Sequence, residues 1–308
     1  ISTGAPIHWI TRAWRDSGAG DAHQVMFSNG GDVFFVSGSH GLVKLDVSER
    51  KSVETTWRDA LRWITSGGDT LNLRENHSLE NTEKYGARNQ ASPTDLETAL
   101  DATRGSSRKL AVFRDLIFLG TDKGLSAFTP SGTLFQEYTK SNSGLSGDHI
   151  TALASDENQL WIGTFNGLSR LTISDFGNFS RTEEAPLQDV LDFSEDSNGD
   201  IWVATYNGLL RYSPGSESIK DARSVLPTLE IVDDRIMAVS SAFGSLWIGT
   251  RRSGLTIFDT GNNSPILSDL VFDDDFAVAS IAQIDSNRTL IGSYSHGLFL
   301  LSRVDDSR

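Results

Sequence analysis

Three of the six histidines in this 308-residue sequence share one recurring context, at the same point of a repeated phrase: His40 before Gly41, His77 before Ser78 and His296 before Gly297. Corresponding positions elsewhere hold Lys123, Asn166, Asn207 and Ser253, and Arg74, Phe165, Tyr206, Arg251, Arg252 and Tyr294 stand one to three residues upstream. Guanidinium groups pair with carboxylate or phosphate oxygens, and aromatic faces cover sugar rings or cations. These ten basic and aromatic side chains (His40, Arg74, His77, Lys123, Phe165, Tyr206, Arg251, Arg252, Tyr294 and His296) are therefore the candidate ligand-binding set, suited to an anionic or sugar-like molecule. A plain turn preference is the competing explanation, since histidine, like asparagine, tolerates left-handed backbone angles. One metal held by all three histidines is disfavoured, because ligand distances of about 2 Å are hard to reach from elements that splay apart. No metal or cofactor is expected.

A second column is acidic. Asp21, Asp59, Asp148, Asp189, Asp234 and Asp275 each stand just before an apolar run. Folding each run back about its polar turn sets Asp148 opposite Thr164, Asp189 opposite Thr205, Asp234 opposite Thr250 and Asp275 opposite Ser293. The expectation is that each carboxylate accepts a hydrogen bond from that hydroxyl or from nearby backbone N–H groups and fixes a loop. A ring of acids for a cation or basic ligand is the alternative. The run from Asp196 to Asp200 faintly resembles a calcium loop but lacks the later glutamate, so it reads as a structural turn. The triplet 273–275 reads as a solvated loop, and His8, His23 and His149 have no motif around them.

What positions these columns is a repeat. Leu160-Trp161-Ile162-Gly163-Thr164 runs on to Gly167-Leu168; Ile201-Trp202-Val203-Ala204-Thr205 to Gly208-Leu209; Leu246-Trp247-Ile248-Gly249-Thr250 to Gly254-Leu255. Weaker copies lead to Gly41, Gly124 and Gly297, giving glycine steps of 83, 43, 41, 46 and 43 residues. The double step hides a degenerate copy, found by setting Asp69 on Asp32, which makes seven copies. Each holds three or four short runs of β-branched and aromatic residues separated by Asn-Gly and Asp/Asn/Ser turns, the pattern of strands joined by hairpins. Fourth strands fit 134–138 and 53–57, and only 95–102 has helical spacing.

Four strands every forty-odd residues is the spacing of a propeller blade. The fold class expected is all-β: a seven-bladed β-propeller of four-stranded antiparallel blades in one domain over 1–308. Its blades span 21–58, 59–100, 101–145, 146–187, 188–230, 231–270 and 271–308. The last copy lacks a fourth strand, and the N-terminal run within 5–15 is expected to supply it and close the ring.

Composition sets outer limits. A balance of 27 basic against 41 acidic residues gives −14, which repels a phosphate backbone and excludes general nucleic-acid binding. No cysteine is present, so disulfides, thiolate nucleophiles and cysteine-bound metals are excluded. No stretch reaches the roughly 20 apolar residues of a membrane helix. The sequence opens at Ile1 without a basic, apolar leader, which reads as a mature secreted chain or an excised module.

The phrase Leu-Trp-Ile-Gly-Thr-x-x-Gly-Leu, preceded by an acidic turn such as Asp196-Ser197-Asn198-Gly199-Asp200, resembles the two-component regulator propeller repeat. The likeness covers four copies well, two moderately and 69–80 poorly. It implies a seven-bladed propeller of the kind found in extracytoplasmic sensor regions of bacterial hybrid histidine kinases and some diguanylate cyclases. It carries no catalytic residues. The family's usual second propeller, third β-domain, membrane helix and signalling domain do not appear in this sequence, so the chain reads as one module of a membrane-anchored sensor or as a free-standing relative. The implied location is periplasmic or extracellular, and the implied partner a small-molecule or glycan ligand or another protein. Two other functions stay open. One is a lyase or hydrolase of acidic polysaccharide using His40, His77, Tyr206, Arg251 and His296, with His or Tyr as base and Arg neutralising a sugar carboxylate. Against a streptogramin-type lyase, the glutamate expected after the Trp-bearing strand is Thr164, Thr205 and Thr250. The other is a protein-interaction scaffold.

Overall fold

A computed structural model describes residues 9–13, 22–27, 33–38, 41–47, 51–55, 109–114, 116–129, 132–155, 159–172, 179–181, 189–216, 218–266, 276–294 and 296–303. The second copy, with Asp59, Arg74, His77 and the helical candidate 95–102, lies outside these residues, as do His40, Asp21 and Asp275.

The described residues are organised as six four-stranded antiparallel sheets. After β1 (Trp9–Ala13) comes the first copy's sheet, β2 (Ala22–Phe27), β3 (Val33–Gly38), β4 (Gly41–Asp46) and β5 (Lys51–Thr55). The third copy forms β6 (Lys109–Phe113), β7 (Leu116–Thr121), β8 (Gly124–Phe128) and β9 (Leu134–Tyr138). The fourth forms β10 (Ile150–Ser155), β11 (Gln159–Thr164), β12 (Gly167–Thr172) and β13 (Phe179–Arg181). The fifth forms β14 (Val190–Glu195), β15 (Ile201–Thr205), β16 (Gly208–Ser213) and β17 (Ser218–Asp221), and the one-turn helix α1 (Ala222–Val225) follows it, capped by Asp221. The sixth forms β18 (Ile236–Ala242), β19 (Ser245–Thr250), β20 (Leu255–Asp259) and β21 (Ser264–Pro265).

In the seventh copy β22 (Val278–Gln283), β23 (Arg288–Ser293) and β24 (Gly297–Arg303) are joined by β1, which pairs antiparallel with β24 from Trp9 opposite Arg303 to Ala13 opposite Phe299. The N-terminal run therefore completes the last sheet. The fourth strand of the first copy is 51–55, two residues before the expected 53–57.

Two compact units divide the chain, one made of 1–56 and 191–308, the other of 57–190. In the first unit, sheets pack in sequence order. Trp202, Leu209 and Leu246 join the fifth and sixth copies in one core, and Trp247, Phe276 and Val278 join the sixth and seventh. Val43 and Leu45 of β4 meet Leu290 and Leu298, which joins the first copy to the seventh. In the second unit, Phe118, Tyr138, Ile150 and Ile162 bury the third copy against the fourth. Burial on both faces explains why strands such as β7 and β15 are buried at every position instead of alternating.

The Trp and Gly of the repeated phrase have separate jobs in this packing. Trp161 and Trp202 each expose only 2% of their surface. Each lies directly across the sheet from an arginine of the third strand, Arg170 and Arg211, whose guanidinium carbons sit 5.5 and 5.6 Å from the indole centroids. Glycine is needed because the next sheet comes so close. A Cβ on Gly120 would lie 2.4 Å from Ile150 Cγ2, and one on Gly249 would lie 2.4 Å from Val278 Cγ1.

Between these sheets the first strands exchange side-chain bonds with their neighbours. Asp192 Oδ2 accepts from the backbone N–H of Val239 at 3.0 Å, Ser194 Oγ accepts from Ser241 N–H at 2.9 Å, and Gln283 Nε2 donates to Ser240 O at 3.2 Å. A first strand is the edge of its sheet, so its outward amides need such partners.

Candidate functional site

The described candidate residues sit on the turns joining second and third strands, and those turns share one construction. The Thr that ends the second strand donates its hydroxyl to the carbonyl of the marker glycine and accepts the N–H of the residue before it. The distances are 3.0 and 3.1 Å for Thr164 with Gly167 and Asn166, 2.8 and 3.1 Å for Thr205 with Gly208 and Asn207, and 3.1 and 2.9 Å for Thr250 with Gly254 and Ser253. Thr121 does the same with Gly124 and Lys123. The glycine is required as well: Gly124 has φ 134°, and a Cβ there would lie 2.6 Å from Tyr138 O. Thr205→Val should remove both bonds without changing side-chain shape and leave a buried polar pair unmet, costing about 1–3 kcal/mol. A lower urea midpoint at unchanged slope would report it.

This use of the hydroxyl corrects the expected pairing with the acidic column. Ile150, not Asp148, stands opposite Thr164, and Ile236 and Val278 stand opposite Thr250 and Ser293. A bulge after each of these residues, between Ile150 and Ala152, Ile236 and Ala238, and Val278 and Ser280, shifts the register. Of the two partners expected, Asp148 takes a backbone N–H and not the hydroxyl, while Asp234 pairs with another side chain. Asp148 Oδ1 accepts from Lys140 N–H at 2.6 Å, and Asp234 pairs with Arg223 at 2.5 Å. Asp189 has φ 55° and donates its own N–H to Phe165 O at 2.9 Å. Its neighbouring turn Asp196–Asp200 is structural in the way expected: the Asp196 carboxylate accepts from Asn198 N–H, Asp200 N–H and Trp202 Nε1, while Asp200 pairs with Arg211.

In the second unit, Lys123 and Phe165 are exposed, and His149 stacks on Phe165 with ring centroids 4.3 Å apart. The sequence offers no motif for His149; its place one residue before β10 is the only signal that could point to this turn.

In the first unit, Tyr206, Arg251, Arg252, Tyr294 and His296 come from three successive sheets. Their turns are tied to the loops before the first strands. Arg251 N–H donates to Arg235 O at 3.0 Å, Gly254 N–H to Phe276 O at 3.1 Å, and Tyr294 N–H to Ala277 O at 3.4 Å. Asp233, which the sequence does not single out, braces the sixth turn: Oδ1 accepts from the Arg235 backbone N–H and Nε, and Oδ2 from Arg252 N–H at 3.0 Å. His296 is exposed and stacks on Phe276, centroids 4.9 Å apart.

Tyr294 is the member of the group whose titration responds to the others. It exposes 41% of its surface, yet desolvation raises the pKa of its phenol; nearby Tyr206 and the Asp192 carboxylate add to the rise, and Arg251 opposes it. The guanidinium of Arg251 is exposed and makes no hydrogen bond or ion pair among the described residues. Tyr206, Arg251 and Tyr294 thus stand on equivalent turns of three successively packed sheets, with an exposed cation on the middle one. Among the described residues, no three histidine or acidic side chains gather as a metal site, and no helix is long and apolar enough to cross a membrane.

Residues 185–207, covering β14, its acidic turn and most of the fifth Trp phrase, match the two component regulator propeller family. No curated protein matches the chain. Among solved structures, the extracellular domain of a putative one component system from B. thetaiotaomicron is similar over 93% of this chain and 33% of its own, at 18% identity and TM-score 0.56. The extracellular domain of a putative hybrid two component system from the same organism covers 91% of this chain and 33% of its own, at 17% identity and TM-score 0.56. This chain thus spans about a third of the length of those two sensor domains. Virginiamycin B lyase from Staphylococcus aureus, solved with quinupristin, is similar over 97% of this chain and all of its own, at 15% identity and TM-score 0.61. All three likenesses are to the fold. The fifth copy thus matches the two component regulator propeller repeat, and the six described sheets share its four-stranded antiparallel construction.

Proposed function

We propose that this chain is a closed seven-bladed sensory propeller working outside the cytoplasm, which receives a small anionic or sugar-like ligand on its second-to-third-strand turns and relays it to attached signalling domains. The observation that carries the reading is Arg251, an exposed guanidinium without a partner among the described residues, set between Tyr206 and Tyr294. A surface arginine ordinarily covers apolar surface or pairs with an acid; this one stands on the turn of the sixth sheet, whose neighbouring sheets carry Tyr206 and Tyr294 on the equivalent turns. Pairing of β1 with β24 supports the closed ring, and the sensor domains among the structural neighbours support both the sensory role and the location.

A thermal-shift screen against uronic-acid oligomers and neutral sugars tests this. Ligand should raise the unfolding temperature of the natural protein and leave the Arg251→Ala variant unmoved. Without ligand that variant should stay within about 0.5 kcal/mol of the natural protein, as surface substitutions do. An absorbance assay for unsaturated product separates the lyase reading: product formation would replace sensing as the function.

A further inference from the structure

Beyond the Arg251 turn, we propose a second binding site, within the unit of residues 57–190, for an uncharged sugar ring that lies on the open face of Phe165 and gives its hydroxyls to Asp148, Asn166 and Asp189. Neither Arg251 nor its unit takes part in it.

The contacts of the fourth turn carry this. His149 covers one face of Phe165, with ring centroids 4.3 Å apart and planes inclined at 29°. Phe165 still exposes 36% of its surface, so what its ring shows to solvent is the second face and an edge. Two other segments meet that turn. The loop before β10 touches it twice, through His149 on Phe165 and through Gly147, where a Cβ would lie 3.0 Å from Asn166 Oδ1. Asp189, just before β14, donates its N–H to Phe165 O at 2.9 Å and holds φ 55°, an angle uncommon outside glycine. Bond and angle together fix the backbone from which the Asp189 carboxylate projects.

The polar groups on these segments are not used up in holding the fold. Among the described residues the Asp189 carboxylate, the Asn166 amide and the His149 imidazole make no hydrogen bond or ion pair, and Asp148 is bonded through one oxygen, Oδ1 to Lys140 N–H at 2.6 Å. The Lys140 ammonium, on the same loop as Asp148, is likewise unpaired among the described residues. Charge then decides between ligands. Two carboxylates repel an anion, and the ammonium opposes a cation. Carboxylates that only accept, an amide that both donates and accepts, and an open phenyl face fit a molecule with O–H groups around its rim and C–H bonds on its faces. A pyranose has that form.

Calorimetric titration of the intact chain tests this with methyl glucoside, methyl galactoside and methyl mannoside as neutral probes, and with the uronide and amino sugar of whichever ring binds as its charged copies. One neutral glycoside should bind at least about ten-fold more tightly than either charged copy. Phe165→Ala should cost at least about ten-fold, and Phe165→Tyr should restore binding because it restores the ring. Asp189→Asn, a residue that also tolerates the left-handed angle, should cost about ten-fold through the lost charged acceptor. If a neutral glycoside binds and Phe165→Ala leaves its affinity unchanged, the sugar sits elsewhere and the second site is overturned. If the uronide binds as tightly as its neutral copy, the preference for an uncharged ring is overturned. If no neutral glycoside binds, the second site is overturned as well, and the uronate shift with Arg251→Ala decides the Arg251 turn separately.

Discussion

Trp202→Ala should lower the unfolding free energy by about 3–5 kcal/mol, the cost of emptying a site that holds a buried tryptophan. Three contacts fail together. The indole leaves the core between the fifth and sixth sheets, where it is buried beside Leu209 and Leu246. The guanidinium of Arg211, now 5.6 Å from the ring centroid, loses the face it covers. Asp196 Oδ2 loses the Nε1 donor at 3.0 Å, although its bonds to Asn198 and Asp200 backbone hold the turn. Trp202→Phe should recover most of the loss, because it restores the ring and gives up only the Nε1 bond. Chemical denaturation of the three proteins measures the order natural, Phe, Ala; an Ala variant equal to the Phe variant would mean that the sheets close over the gap.

Gly249→Val should cost about 3 kcal/mol, at the upper end of the overpacking range, for the opposite reason. Its Cβ would stand 2.4 Å from Val278 Cγ1 and 2.7 Å from Val278 Cβ, in a branched side chain held close to its own backbone. Neither sheet can yield without moving its neighbour. The fifth copy carries Ala204 at this position, fully buried, so the spacing between sheets there admits a methyl; at Gly249 the alanine Cβ already meets Val278, and Gly249→Ala should take part of the valine loss. Adding Val278→Ala to Gly249→Val should return part of the lost stability, and the double-mutant cycle gives the coupling directly. Simple addition of the two losses would show that the glycine serves something other than this contact.

Much of this architecture is legible in the residues themselves. The Trp-Ile-Gly-Thr phrase marks the second strand of each sheet, and Asn-Gly at 166–167 and 207–208 marks the turns that the glycines' positive φ angles require. The missing fourth strand of the last copy, with an apolar run near Trp9, points to the pairing of β1 with β24. What the sequence hides has a common physical origin. Each first hairpin folds about a point one to two residues later than the acid-to-threonine pairing requires, as Ser155 opposite Leu160 and Ala242 opposite Ser245 show, and the bulges after Ile150, Ile236 and Val278 recover only one residue of that offset, so the true partner is the apolar residue two or three places on.

Of the candidate site, periodicity gives the column containing Tyr206, Arg251 and Tyr294, because all copies share it. Asp233, His149 and Phe276 have no counterpart in that column. They reach the turns from neighbouring strands and loops, through contacts such as His149 on Phe165 and Asp233 with Arg252, and only packing reveals such neighbours.

Joining β1 to β24 also sets the order of events during synthesis. Trp9–Ala13 leaves the ribosome nearly three hundred residues before Gly297–Arg303. At about 5–20 residues per second the early segment waits roughly 15–60 s for its mate. Until then it is an unclaimed β-edge, open to capture by another nascent copy or by a chaperone, so aggregation during expression should depend more on this short run than on any buried tryptophan.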